Sequence, residues 1–142
     1  MLPEFPEFTH SPNGENGLKP YVSVNSVLNN ISPESPDHNP DEVIKRAFGP
    51  WDASSILPKC ITTSGGQNWH PSGLRDLTNR ELAALQGFPN DHIFGRTCQT
   101  SVKKQIGNGV PPCVSKVLFE WIRKHLEKVD GVDLEAEAII ID

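Results

Sequence analysis

The chain has 142 residues and a formal net charge of −5, enough for one domain with a modest core. Thirteen Pro and eleven Gly beside 36% apolar residues predict much irregular backbone. No apolar run approaches the roughly 20 residues of a membrane span, and Met1-Leu2-Pro3-Glu4-Phe5 lacks the basic and apolar regions of a signal peptide. Cys60, Cys98 and Cys113 form neither an even disulfide framework nor a metal-ligand pattern. The expectation is an intracellular protein with no metal and no membrane partner.

In chain order, the Pro-rich start up to about residue 20 reads as extended or turn-rich. Val24, Val27, Leu28 and Ile31 fall at helical spacing behind Ser23, a suitable N-cap. A loop over 32–39 leads to a second predicted helix. Asn39 would cap it, Pro40 would take its first position, and Val43, Ile44, Ala47 and Phe48 would be its buried face. Gly49-Pro50 would end it. Ile56-Leu57 and Cys60-Ile61-Thr62-Thr63 are short β-prone runs, and residues 64–73 are a loop by composition.

Thr78 and Glu81 have capping-box spacing, in which each side chain satisfies a free backbone N–H at a helix start. Gly87 suits the left-handed terminal position, and Pro89 prevents continuation. The clearest helix begins at Pro111-Pro112. Its apolar face is Val114, Val117, Leu118, Trp121, Ile122 and His125, with Arg123, Lys124 and Lys128 near its end. The acidic tail ends in Ile139-Ile140-Ile141, read as a frayed end or a late strand.

Charge is unevenly placed. Residues 59–128 hold ten Lys and Arg against five Asp and Glu, while the remainder holds three against thirteen. A basic block between acidic ends suits a phosphate-facing element. It equally suits a solvated helix surface.

Two constellations are specific. The first is His70-Pro71, Arg75, Leu77-Thr78, Arg80-Glu81, Ala83 and Gln86-Gly87-Phe88-Pro89. The second is Lys104-Gln105, Gly107-Asn108 and Val110-Pro111-Pro112, followed by the amphipathic helix. Together and in this order they resemble the C-terminal end of a cytosine-5 DNA methyltransferase. The match is good over about residues 61–128 and looser upstream, at Pro6–Ser11 and the Val22–Ile31 stretch.

The resemblance implies roles. Arg80 and Glu81 would help to hold a target-recognition region against the catalytic core. By composition alone they are ordinary helix-start residues. Asn108, Gly109 and Val110 would line the S-adenosylmethionine pocket, where the residues alone suggest only a Gly-Asn-Gly turn. The loop of Ser64, Gly65, Gly66, Gln67 and Asn68, with Arg75, would face double-stranded DNA. Gly allows close approach, Ser can donate to phosphate, and Gln and Asn can read base edges. A polar Gly-Gly loop can also be only a loop.

The family reaction flips a cytosine out of the duplex. A cysteine attacks C6, a glutamate assists at N3, and C5 takes the methyl group from S-adenosylmethionine. The family places these groups in Pro-Cys-Gln, Glu-Asn-Val and Phe-x-Gly-x-Gly segments of an N-terminal parallel-sheet domain. None of the three segments is present here. Pro112-Cys113 belongs to the second constellation, Thr97-Cys98-Gln99 lacks the proline, and Glu15-Asn16-Gly17 has Gly where Val belongs. No catalytic residue is therefore expected in this chain.

The expected fold is an α+β fragment of a Rossmann-like α/β methyltransferase. Residues 1–58 would be a partial recognition region. Residues 59–100 would carry the recognition loop and first motif, 101–129 the second motif and terminal helix, and 130–142 an acidic tail. The expected function is that of a C-terminal portion of such an enzyme, inactive alone, needing a missing or separate catalytic domain and nuclear if eukaryotic. The alternative is a non-catalytic DNA-binding or partner-binding module derived from one.

Overall fold

The computed structural model describes residues 4–95 and 98–130. Two strands, β1 (His10–Ser11) and β2 (Lys19–Pro20), pair in parallel with His10 opposite Lys19. A single 3-10 turn, Glu15–Gly17, lies between them. Four helices follow: α1 (Val24–Leu28), α2 (Asn79–Leu85), α3 (Gln99–Asn108) and α4 (Pro112–Asp130). Between α1 and α2 the chain is held by turns and isolated bridges.

The core sits around α2, which packs against both α1 and α3. Leu77, Leu82, Ala83, Phe94, Val102 and Ile106 are buried there, with Leu28, Ile61, Leu85 and Phe88 packed on their margin. The capping box forms as its spacing predicts. Thr78 Oγ1 accepts from the Glu81 N–H at 3.1 Å, and the Thr78 N–H donates to Glu81 Oε2 at 2.7 Å. Gly87 closes the helix at φ 83°, while the Phe88 N–H returns to the Ala83 carbonyl at 2.9 Å.

The Ser23 cap also forms, accepting from the Ser26 N–H at 3.2 Å. The helix behind it stops at Leu28, three residues before Ile31, and continues as turns.

The helix expected after Asn39 is absent. Asn39 instead makes one side-chain turn, its Oδ1 accepting from the Asp41 N–H. The chain then runs extended. The Arg46 N–H donates to the Leu74 carbonyl at 2.7 Å, the Asp76 N–H to the Ile44 carbonyl at 2.9 Å, and Lys45 bridges antiparallel to Arg75. Pairing with residues 73–76 satisfies the backbone that a helix would have satisfied, and β-branched Val43 and Ile44 favour it. Residues 69–76 fold back on themselves through a Trp69–Asp76 bridge. The β-prone runs at 56–57 and 60–63 form no strand.

Helix α3 is not legible in the sequence as a helix. It spans ten residues and buries only Val102 and Ile106, one turn apart. The Gly-Asn-Gly segment is its C-terminal end rather than a free turn. Gly109 lies at φ −71°, so its requirement is space, not positive φ. A Cβ on Gly107 would stand 2.3 Å from the Thr62 and Thr63 backbone, and one on Gly109 would stand 2.9 Å from the Phe88 ring.

Helix α4 forms as its periodicity predicts but buries no residue. Val114, Val117, Leu118, Ile122 and Leu126 remain 36–46% exposed, and Phe119 and Val129 more so. Phe5 stacks on Trp121 with ring centroids 5.6 Å apart, and the Trp121 indole N–H donates to the Glu4 carbonyl. No described helix is long and apolar enough to cross a membrane. The Ile139-Ile140-Ile141 tail lies outside the described residues.

Candidate nucleic-acid interface and cofactor edge

The loop from Lys59 to Asn68 is built by its small and amide side chains. Gly66, at φ 72°, passes so near Cys60 that a Cβ would meet the Cys60 carbonyl oxygen at 2.0 Å. The Asn68 amide donates to the Lys59 and Gly65 carbonyls, both at 3.1 Å. The Gly65 N–H donates to the Thr62 carbonyl at 2.8 Å, and Ser64 and Thr62 share their hydroxyls at 3.1 Å. Asn68 thus closes the loop, and its amide nitrogen is occupied. Gln67 stands exposed at φ 57°, with its carbonyl oxygen 3.1 Å from Lys59 Nζ.

This loop borders a groove of about 390 Å³ whose lining also includes Lys103, Trp69 and Arg46. Two of its cations are already paired or weakly engaged. Arg46 grips Asp76 through Nε at 2.9 Å and Nη2 at 3.2 Å. Among the described residues, Lys59 Nζ meets only the Gln67 side-chain carbonyl. Lys103 has no hydrogen-bond or ion-pair partner among the described residues. Lys59 and Lys103 therefore bracket the groove as its available cations, and Lys59 was not marked out by the sequence.

Arg75 does not lie on this surface. It turns inward, where Nη1 meets Glu81 Oε2 at 2.8 Å and Nη2 meets Oε1 at 2.7 Å, both side chains being nearly buried. Its two terminal nitrogens are spent on Glu81 and on the Asp76 carbonyl. Its place is beneath the groove, where it holds residues 75–81 in shape. Glu81 is cap and ion-pair partner at once. Burial, the largest single influence, pushes its carboxyl upward. The Arg75 hydrogen bonds, the Thr78 N–H and the charges of Arg75 and His70 together outweigh burial and leave it below the usual carboxylate range.

Histidines flank this pair. His70 Nδ1 accepts from the Ser72 N–H at 3.2 Å, which requires an unprotonated nitrogen there. Burial first, then the Arg75 charge, hold its pKa below the ordinary imidazole value, against an opposing pull from Glu81; His38 adds to the lowering. His38 Nδ1 lies 3.0 Å from Thr78 Oγ1. Sequence reasoning passed over His38, because only the fold brings it to the helix start.

Arg80 is fully buried. Nε donates to the Pro36 carbonyl at 2.7 Å, Nη1 to Pro89 at 3.1 Å and Nη2 to His92 at 2.6 Å, with Phe94 beneath the guanidinium. A planar fork of donors joins the 36–37 turn to the 89–92 turn, which Lys could not reproduce.

The second candidate set lies where α3 meets α4. The Gly109 backbone is fully used: its N–H donates to the Gln105 carbonyl, and its carbonyl accepts from Gln86 Nε2 at 2.9 Å. Asn108 is exposed, its side-chain amide without a partner among the described residues, and Val110 is 61% exposed. These three residues offer an amide, a close backbone and an apolar face. They do not enclose a cavity.

Comparison with known proteins decides the family. The model of the C-5 cytosine-specific DNA methylases matches residues 10–124. The chain belongs to that family. A type II methyltransferase of Neisseria gonorrhoeae, M.NgoFVII, is 32% identical over 166 aligned positions, which cover 88% of this chain and 43% of the relative. The M.BbvI methyltransferase of Brevibacillus brevis is 40% identical over 49% of the chain and 19% of the relative. DNA (cytosine-5)-methyltransferase 3 of Arabidopsis thaliana is 31% identical over 72% of the chain and 7% of the relative. The chain thus spans less than half the length of each of these relatives. No solved structure matches it.

Proposed function

We propose that this chain is the DNA-facing C-terminal portion of a cytosine-5 DNA methyltransferase. In this reading the α2 helix and the Gly107-Asn108-Gly109 segment are the last two family motifs. The observation that carries the reading is α4, a nineteen-residue amphipathic helix whose apolar stripe stays largely exposed beyond the contact of Phe5 with Trp121. Burying one Val, Leu or Ile fully contributes about 1.5–3 kcal/mol, so a parallel-sheet catalytic domain is a fitting cover for this stripe.

The chain's own residues would then divide the work. Lys59 and Lys103 attract the phosphate backbone, and Ser64, Gly66 and Gln67 approach the duplex, with Asn68 and the buried Gly65 holding their loop. Arg75, Glu81 and Arg80 keep that loop region in register from below. Asn108, Gly109 and Val110 contribute one edge of the S-adenosylmethionine site. The donor supplies the methyl group; the nucleophilic cysteine, the glutamate and the main cofactor loop come from the catalytic domain. Acting on DNA would place a eukaryotic form in the nucleus.

The test is methyl transfer from radiolabelled S-adenosylmethionine to cytosine-containing duplex. The chain alone should leave the DNA unlabelled, and label in the DNA would overturn the proposal. The exposed α4 face also suits a second reading, a partner-binding module without catalysis. That reading expects a stable complex without DNA, lost when Leu118 and Trp121 become Ala. Methyl transfer on adding the catalytic domain would exclude it.

A further inference from the structure

Three consecutive residues at the end of α2 grip the junction between α3 and α4. Gln86 Nε2 donates to the Gly109 carbonyl at 2.9 Å. A Cβ on Gly87 would stand 3.3 Å from Cys113 Sγ, and one on Gly109 would meet the Phe88 ring at 2.9 Å. Phe88 packs in turn on His92 and Phe94, with ring centroids 5.2 and 5.4 Å away, and Phe94 lies beneath the buried Arg80 guanidinium. Residues 86–88 thus anchor the junction to the core.

The hydrogen bond answers a local shortage of donors. The last carbonyls of a helix need partners from outside its own ladder. Just beyond Gly109 stand Pro111 and Pro112, which have no N–H. The Val114 and Ser115 N–H groups both donate to the Pro111 carbonyl, at 2.9 and 3.0 Å. The donor for Gly109 comes instead from a side chain 23 residues upstream. Helix α4 buries no residue, so the path of residues 109–112 depends on that grip.

We propose that Gln86 is a positioning residue for the methyl donor, setting the Gly109 peptide and, through it, the places of Asn108 and Val110. The proposal rests on the reading of Asn108, Gly109 and Val110 as one edge of the S-adenosylmethionine site, and adds the residue that holds that edge. Asn108 and Val110 flank Gly109 with exposed side chains. A shift of the Gly109 peptide therefore moves the amide and the apolar face together, and small misplacements of positioning groups are costly.

The experiment combines the full chain with a catalytic domain of the family. It reads the calorimetric Kd for S-adenosylmethionine and the KM for duplex DNA, and, in the chain alone, the hydrogen exchange of the Gly109 amide. Gln86→Met keeps the length and removes the donor. It should raise Kd about threefold to tenfold, the worth of one neutral hydrogen bond, and speed Gly109 exchange. KM for DNA should stay within about twofold, since a lost local contact does not alter DNA binding elsewhere. Gln86→Lys, which restores a donor, should return Kd towards the unaltered value. A Kd indifferent to Gln86→Met overturns the proposal. So does a Kd that rises by the same factor as KM, which marks a loosened fold, or a Gln86→Lys variant as weak as Gln86→Met, which marks packing. Each of these leaves the reading of residues 108–110 intact. An unaltered pair that neither binds S-adenosylmethionine nor transfers methyl overturns that reading, and the proposal with it.

Discussion

Arg80 carries a charge with no accessible surface, and three carbonyls from two turns take the role of solvent. Burial, foremost, lowers its pKa, with Asp37 and Asp91 opposing. Removing the side chain would orphan those carbonyls and open a void. Arg80→Ala is expected to lose about 3 kcal/mol or more of unfolding free energy in urea. Arg80→Lys should lose part of that, since one ammonium cannot reach three divergent acceptors. A change below about 0.5 kcal/mol for Ala would contradict this placement.

The pair of Glu81 and His70 makes stability depend on pH, with the same sign for both. His70 is held below its unfolded value of about 6.5, so the folded state favours the neutral ring. Its contribution is full above that value and is lost as pH falls through the depressed folded value. Glu81 is likewise depressed from an unfolded value of about 4.3, so its contribution is lost only in stronger acid. Urea midpoints should therefore fall on acidification in two stages. His70→Gln should flatten the first stage, and a midpoint that rises below about pH 6 would refute the assignment. The sequence pointed to Glu81 as a cap because the Thr-x-x-Glu spacing is local. Nothing local showed that Arg75 would turn inward, since its partner is chosen by the bend at 75–78.

At the scale of elements, the parts legible in the sequence are those whose determinants are neighbours. Ser23, the Thr78–Glu81 box, Gly87 and the α4 stripe each act within a few residues. Thr78→Ala should cost about 1 kcal/mol or somewhat more, because the hydroxyl also meets His38. The segment after Asn39 defeated local reading: its capping signals were sound, but pairing with 73–76 offered the backbone better partners. Helix α3 was hidden for a different reason. Two apolar residues in ten make a weak stripe, and the Gly-rich end suggests a turn. Gly107→Ala tests its docking. With the new Cβ 2.3 Å from the Thr62 backbone, α3 must move, at a cost of about 1–3 kcal/mol. An unchanged denaturation midpoint would show that the α3–loop contact is looser than described.

For the whole molecule, the division between a buried half and a bare half organises everything else. The α2 region is packed, capped and ion-paired. Helix α4 has a regular apolar face that, among the described residues, stays largely exposed beyond the contact with Phe5. Leu118→Ala should accordingly change the stability of the chain by no more than about 0.5 kcal/mol, while weakening attachment to a catalytic domain. The basic groove makes a separate claim. Loss of Lys103 should reduce the salt dependence of DNA binding by about one counterion, without altering the fold. Family membership was readable because the residues that carry the resemblance lie close together along the chain. The groove was only partly readable, because Lys59, Lys103 and Trp69 come together through the 60–68 loop and the 44–48 pairing.

The most direct measurement is tritiated methyl transfer to duplex DNA, run in parallel with the chain alone and with a catalytic domain of the family added in trans. The account predicts no label in the first reaction and label in the second, reduced when Leu118 and Trp121 are replaced by Ala. Label incorporated by the chain alone would contradict it.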